Sequence, residues 1–190
     1  PDSLFCIFSA TKAITSAASW LLMQDEVISE NDLVTDYIPE FGKNGKDKTT
    51  LGHLLTHTAG FPHAPFRPVE WKSKATRLTR FDQWRAFWEP GTKFEYHPSS
   101  SMYVVAEIIE RASGKDFAEF VQARLLHPLK LRNTFIGLPD NQRARALKIK
   151  YCGVELSEQE YEEMGFPVPP KTEVTEEAVL SFNERDVQAS

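Results

Sequence analysis

Apolar residues recur at helical spacing from Ser9 to about Gln24. Ala13, Ala17 and Leu21 form one row, and Ile14, Ala18 and Leu22 a second. No Gly or Pro interrupts the run, and the apolar positions cover most of its circumference. The pattern predicts a buried, central helix. A second short helix is predicted from Thr50, closed by a turn containing Gly60 and Pro62. Phe81, Trp84 and Trp88 fall on one face of a short amphipathic helix. Met102, Val105, Ala106 and Ile109 mark another, stopped by Ser113-Gly114, and Phe117, Phe120, Val121 and Leu125 mark the next. Lys93 to Tyr96 reads as a brief extended piece, and Glu176 to Glu184 as a last short helix. Between these lie a polar turn at Asp25–Asp32, a charged loop from Gly42 to Thr50 and a Pro-rich, basic surface excursion from His63 to Arg80. A loop or strand follows from Pro128 to Pro139, then an acidic stretch from Glu155 to Glu163 and a Pro-rich break from Phe166 to Pro170. There is no internal repeat.

A chain of 190 residues is long enough for one domain with a substantial core. A net charge of -5 argues against a nucleic-acid partner held by phosphate contacts. No stretch of eighteen or more apolar residues offers a membrane span, so no membrane partner is expected. No leader-like segment opens the chain, which favours the cytoplasm. Both ends nevertheless look cut. There is no initiator Met, the apolar run Leu4–Phe8 begins almost at once, and Asn183 to Ser190 brings no closing element. The expectation is therefore a single partial domain over residues 1–190, truncated at both ends.

Two cysteines do not make a disulfide framework; Cys6, within the apolar run, is expected to be a buried thiol. The five histidines show no metal-ligand spacing, and no phosphate loop or dinucleotide fingerprint is present. No metal and no cofactor are expected. The sequence leaves the oligomeric state open.

The candidate chemistry begins at Ser9-Ala10-Thr11-Lys12. Residues three apart lie one above the other on a helix face, which places the Lys12 amine within reach of the Ser9 hydroxyl. A serine hydroxyl is a weak nucleophile at neutral pH and needs a base beside it. A lysine pushed toward neutrality by burial can serve. At a helix N-terminus, Ser9 would also sit in the positive field of the helix dipole, which favours a developing anion. Taken alone, the same four residues also read as an exposed lysine and a serine near an N-cap.

Further segments follow in order: Leu54-Leu55-Thr56-His57-Thr58-Ala59-Gly60, Pro90-Gly91-x-x-Phe94-x-Tyr96, Ile108-Ile109-Glu110-x-x-Ser113-Gly114 and Pro128-Leu129-Lys130-Leu131-x-x-Thr134. From about Leu4 to Pro139 the series resembles the β-lactamase-related serine hydrolases: class C β-lactamases, DD-peptidases and family VIII carboxylesterases. The resemblance implies an α+β, β-lactamase/transpeptidase-like fold, of which this chain would be mostly the helical region with an incomplete sheet. It implies Ser9 as nucleophile, Lys12 as its activator and Tyr96 as general base or proton relay. It treats the turn around His57 as structural.

The family usually has Tyr-x-Asn where this chain has Tyr96-His97-Pro98, and a proline cannot supply the Asn side-chain hydrogen bonds. Ser99 or Ser100 would partly replace it, and His97 would line the pocket. That departure favours esters over β-lactams. The family's Lys-Thr-Gly strand motif has only Lys171-Thr172-Glu173 as a look-alike, which reads as a solvated loop. The resulting expectation is hydrolysis of a small ester or amide through an acyl-serine, esters first. β-Lactam hydrolysis, D-amino-acid peptide cleavage and acyl transfer are alternatives, and a non-catalytic binding relative is the alternative of another class.

Overall fold

The computed structural model describes residues 2–150, 152, 156–166 and 176–189. The Lys171-Thr172-Glu173 segment and most of the Pro-rich break lie outside them. The described residues divide into two compact units, one being Ile7–Leu138. That unit is helical. Its helices are α1 (Thr11–Gln24), α2 (Val34–Tyr37), α3 (Leu51–Leu55), α4 (Lys74–Gln83), α5 (Ser100–Ser113) and α6 (Phe117–Val121). Among the described residues there is no sheet. Extended pairing is limited to isolated bridges, Leu33 with Thr50 in this unit and Leu4 with Ala146 in the other.

The central helix is α5. Ser100, Ser101 and every residue from Val104 to Ile109 are buried, because Val104, Val105, Ile108 and Ile109 face α1, α2, α3 and α6 at once. Gly114 ends the helix in the left-handed conformation, φ +69°, its N–H returning to the Glu110 carbonyl. Asp116 then caps α6 by accepting the Glu119 N–H.

The expectation that α1 is the buried centre is corrected. Only Thr15, Ala18, Ser19 and Leu22 are buried, and Trp20 on the opposite side is 62% exposed. Three of those four residues are small, so one face of α1 packs closely against α5 while the other stays open.

The aromatic stretch is also arranged differently. Helix α4 begins at Lys74, with the Ser73 hydroxyl accepting the Thr76 N–H, and stops before Trp84, whose backbone is extended. Phe81 and Trp84 are buried, and Trp88 comes from the segment that follows. The basic excursion is not all surface. Arg77 is buried between α4 and α5, where it pairs with Glu107 and Glu110 and donates to the Trp71 carbonyl. Glu107 also receives Arg111 at 2.8 Å.

The second unit holds short helices α7 (Glu158–Glu163), α8 (Glu176–Leu180) and α9 (Arg185–Gln188). Ser157 caps α7 by accepting the Glu160 N–H. Cys6 is half-buried rather than buried, and Cys152 is exposed. No described helix is long and apolar enough to cross a membrane.

Candidate active site

Ser9 lies in a single 3-10 turn, Phe8–Ala10, that runs into the N-terminus of α1. Phe8 enters that turn with φ +44°, a costly conformation for an aromatic residue. Lys12 is one turn further on, and its Nζ donates to Ser9 Oγ at 3.1 Å. It also donates to the Pro98 carbonyl. The spacing read from the sequence is thus realised as a contact, at a half-buried rather than deeply buried lysine.

Tyr96 reaches the same oxygen from 87 residues away, its hydroxyl donating to Ser9 Oγ at 3.0 Å. Lys12 Nζ stands 5.0 Å from the centroid of the Tyr96 ring. Burial opposes ionisation of this phenol, but the hydrogen bonds that Lys12 and Ser9 can donate to the phenolate, with the Lys12 charge, outweigh it. Its pKa falls below the ordinary value of 10.0. Ser9, Lys12 and Tyr96 therefore share one hydrogen-bonded cluster.

The Tyr96 segment is held by the turn after α3. That helix is capped reciprocally: Thr50 Oγ1 accepts the His53 N–H, and His53 Nδ1 accepts the Thr50 N–H. His57 then adopts φ +59° and Gly60 φ +94°. A Cβ on Gly60 would meet the Trp88 carbonyl at 2.6 Å, so only glycine fits there. The turn carbonyls at His57, Thr58 and Gly60 accept the Glu95, Gly91 and Phe87 N–H groups. A Cβ on Gly91 would also collide with His53.

His97 does not line an open pocket. It is fully buried. Its Nε2 accepts the Phe61 N–H at 3.1 Å, and its Nδ1 lies 2.7 Å from the Glu95 carbonyl. Those partners assign the proton to Nδ1, and burial lowers the imidazole pKa. With both nitrogens engaged, His97 braces the wall and offers none to a substrate. Ser100 is likewise fully buried and donates to the Phe61 carbonyl at 3.0 Å. Ser99 is exposed at the start of α5, its hydroxyl free of any capping bond to that helix. Pro98 contributes a main-chain carbonyl to Lys12 where the family pattern has an amide side chain.

The resemblance treats the His57 turn as structural, yet His57 touches the cluster. Its ring centroid is 4.9 Å from that of Tyr96, and its Nδ1 accepts the His97 N–H at 3.2 Å. Burial and the Lys12 charge hold it below the usual histidine pKa. Among the described residues no group of His, Cys, Asp and Glu is placed to hold a metal ion.

A β-lactamase family model matches residues 1–163. The chain belongs to the β-lactamase family. A β-lactamase of Escherichia coli K12 is 33% identical over 139 residues, covering 73% of this chain and 36% of the relative. A family VIII carboxylesterase crystal structure matches with TM-score 0.71 and 27% identity, covering 78% of this chain and 42% of that one. A β-lactamase/D-alanine carboxypeptidase of Yersinia pestis, solved with citrate, matches with TM-score 0.64 and 30% identity, covering 77% and 44%. This β-lactamase-family chain thus spans about a third of the length of the curated relatives it matches. It shares their β-lactamase/transpeptidase-like fold in its helical part.

Proposed function

We propose that the protein is a serine hydrolase that cleaves carboxylic esters through an acyl-Ser9 intermediate. The observation that carries this reading is the convergence of Lys12 Nζ and Tyr96 OH on Ser9 Oγ, at 3.1 and 3.0 Å. A neutral Tyr96 donates to Ser9. Once ionised, the phenolate oxygen accepts the Ser9 proton across the same contact, and the freed Oγ attacks the ester carbonyl carbon. The Lys12 cation stabilises the phenolate before transfer. Tyr96 then returns the proton to the departing alkoxide oxygen as the C–O bond breaks. Water enters by the reverse sequence: Tyr96 takes its proton, the hydroxide oxygen adds to the acyl carbon, and Ser9 Oγ leaves with the proton.

Esters are favoured because Pro98 brings no side-chain amide to grip an acylamide group. The nearby Phe94 side chain, 67% exposed, offers apolar contact instead. The relatives described as β-lactamase and D-alanine carboxypeptidase keep lactams and D-amino-acid peptides as the competing substrate class.

The test is covalent labelling with a fluorophosphonate, read by intact mass, with Ser9→Ala beside it. One adduct on the native chain and none on the variant is expected. A folded chain without a Ser9-dependent adduct would overturn the reading. Parallel assays with p-nitrophenyl butyrate and a chromogenic cephalosporin then separate esters from lactams.

A further inference from the structure

We infer that His57 is the positioning residue of this site, its ring fixing the angle at which the Tyr96 phenol meets Ser9. The inference rests on the ester-hydrolase reading above and deepens it.

The geometry makes a chain of constraints. The backbone at His57 is left-handed, φ +59°, a conformation that projects its side chain back over the strand-like segment carrying Tyr96. The His57 carbonyl accepts the Glu95 N–H at 3.1 Å, and its Nδ1 accepts the His97 N–H at 3.2 Å. These two bonds bracket Tyr96 on both sides along the chain. Between them the His57 ring lies against the Tyr96 ring, 4.9 Å between centroids at an interplanar angle of 53°. On its other sides it meets Phe94 edge-on at 6.4 Å and stacks on His97 at 5.9 Å. A ring so surrounded cannot turn without breaking the His97 bond. Tyr96 is 46% exposed, and His57 supplies the aromatic ring packed against it.

An Nδ1 that accepts must be unprotonated, so the proton of the neutral ring is on Nε2. The neutral form is what the site holds, since burial and the Lys12 charge both oppose a second cation. The charged groups facing Tyr96 are Lys12 from α1 and, one residue back, Glu95, which is engaged by Lys93 at 2.8 Å and His63 at 3.0 Å. His97 on the far side is buried and held below its usual pKa.

The test removes ring and anchor one at a time. His57→Asn keeps an acceptor at the Nδ1 position and tolerates the left-handed backbone, but has no ring. His57→Phe keeps the ring and loses the acceptor. The readout is the titration of Tyr96 by its Cζ shift in 13C-tyrosine-labelled protein, assigned with Tyr96→Phe, beside the phosphonylation rate of Ser9. In the native chain the Tyr96 midpoint lies below that of free tyrosine. Both variants are expected to raise it toward the ordinary value and to slow phosphonylation at least tenfold, with an unchanged melting temperature for His57→Asn. Whichever variant stays folded carries the test. An unmoved Tyr96 midpoint in a folded variant overturns the inference, since a merely structural residue would not set that value. A native chain that shows the Tyr96 shift but no Ser9 adduct would leave His57 in its role and sink the hydrolase reading instead.

Discussion

At the scale of single residues the site is a problem of proton ownership. Two donors converge on Ser9 Oγ, one of them a cation, and the phenol, already the strongest acid of the three, is made stronger by its neighbours. If Tyr96 is the base, the active form is its phenolate, so the rate of Ser9 acylation rises with pH through the Tyr96 pKa. The depression caused by Lys12 and Ser9 places that rise below the usual tyrosine range. Lys12→Met removes the cation and a donor to the phenol while keeping an apolar stem of similar length. Its acylation limb should move to higher pH, and its rate at neutral pH should fall by about 10²–10⁴-fold, the usual size of a lost acid–base contribution. Phosphonylation rates measured from pH 6 to 10 decide it. A limb left in place would show that Lys12 does not tune Tyr96. The Ser9–Lys12 contact was legible in the sequence, because three residues on a helix is a fixed distance. Tyr96 was not legible from spacing alone, since the packing of α1 to α4 across 87 residues brings it to Ser9. His57 was still less so, because its contact depends on a positive φ that Gly or Asn would ordinarily signal.

Among elements, α4 and α5 show how a polar sequence becomes an interior one. The run Lys74–Gln83 is mostly polar, and no apolar stripe marks it as a core helix. It is held at Phe81 by burial and at Arg77 by charge. Glu107 is wholly buried and takes Arg77 on one oxygen and Arg111 on the other, while Arg111 also donates to the Tyr37 carbonyl at 2.8 Å. That one carboxylate therefore ties α4, α5 and the end of α2 together. Glu107→Ala leaves two arginines facing a buried gap and should cost about 3–5 kcal/mol, as removal of one partner from a buried pair does. Urea unfolding of the variant checks it, and a loss under ~1 kcal/mol would place the ion pairs among the weakly contributing kind. The stop of α5 at Gly114 was readable beforehand because a left-handed C-terminal glycine has a local cause. The clamp was not, because nothing in the spacing of Arg77 and Glu107 along the chain indicates that they meet.

For the whole molecule, the question is whether the site and the core of the Ile7–Leu138 unit are one cooperative structure. Helix α5 supports both. Its apolar middle packs against α1, whose first turn carries Lys12, and its first turn holds the Phe61 carbonyl through Ser100, next to the turn that braces Tyr96. Helices α1, α5 and α6 were legible because their apolar periodicity is local, whereas α4 was not. The family's sheet is implied by resemblance alone, and the described residues contain isolated bridges and no sheet. All four tryptophans, Trp20, Trp71, Trp84 and Trp88, lie within this unit, so their fluorescence reports its unfolding without contribution from the other. Ser9 phosphonylation and tryptophan fluorescence should therefore be lost at the same urea concentration. Ile108, fully buried in α5 and remote in sequence from Ser9, Lys12 and Tyr96, extends the test. Ile108→Ala should cost about 2–5 kcal/mol and lower both midpoints together. If labelling disappears while the fluorescence is still native, the turn at Phe8–Ala10 and the Tyr96 segment open on their own. The strained entry at Phe8 would then be paid for locally rather than by the α5 core.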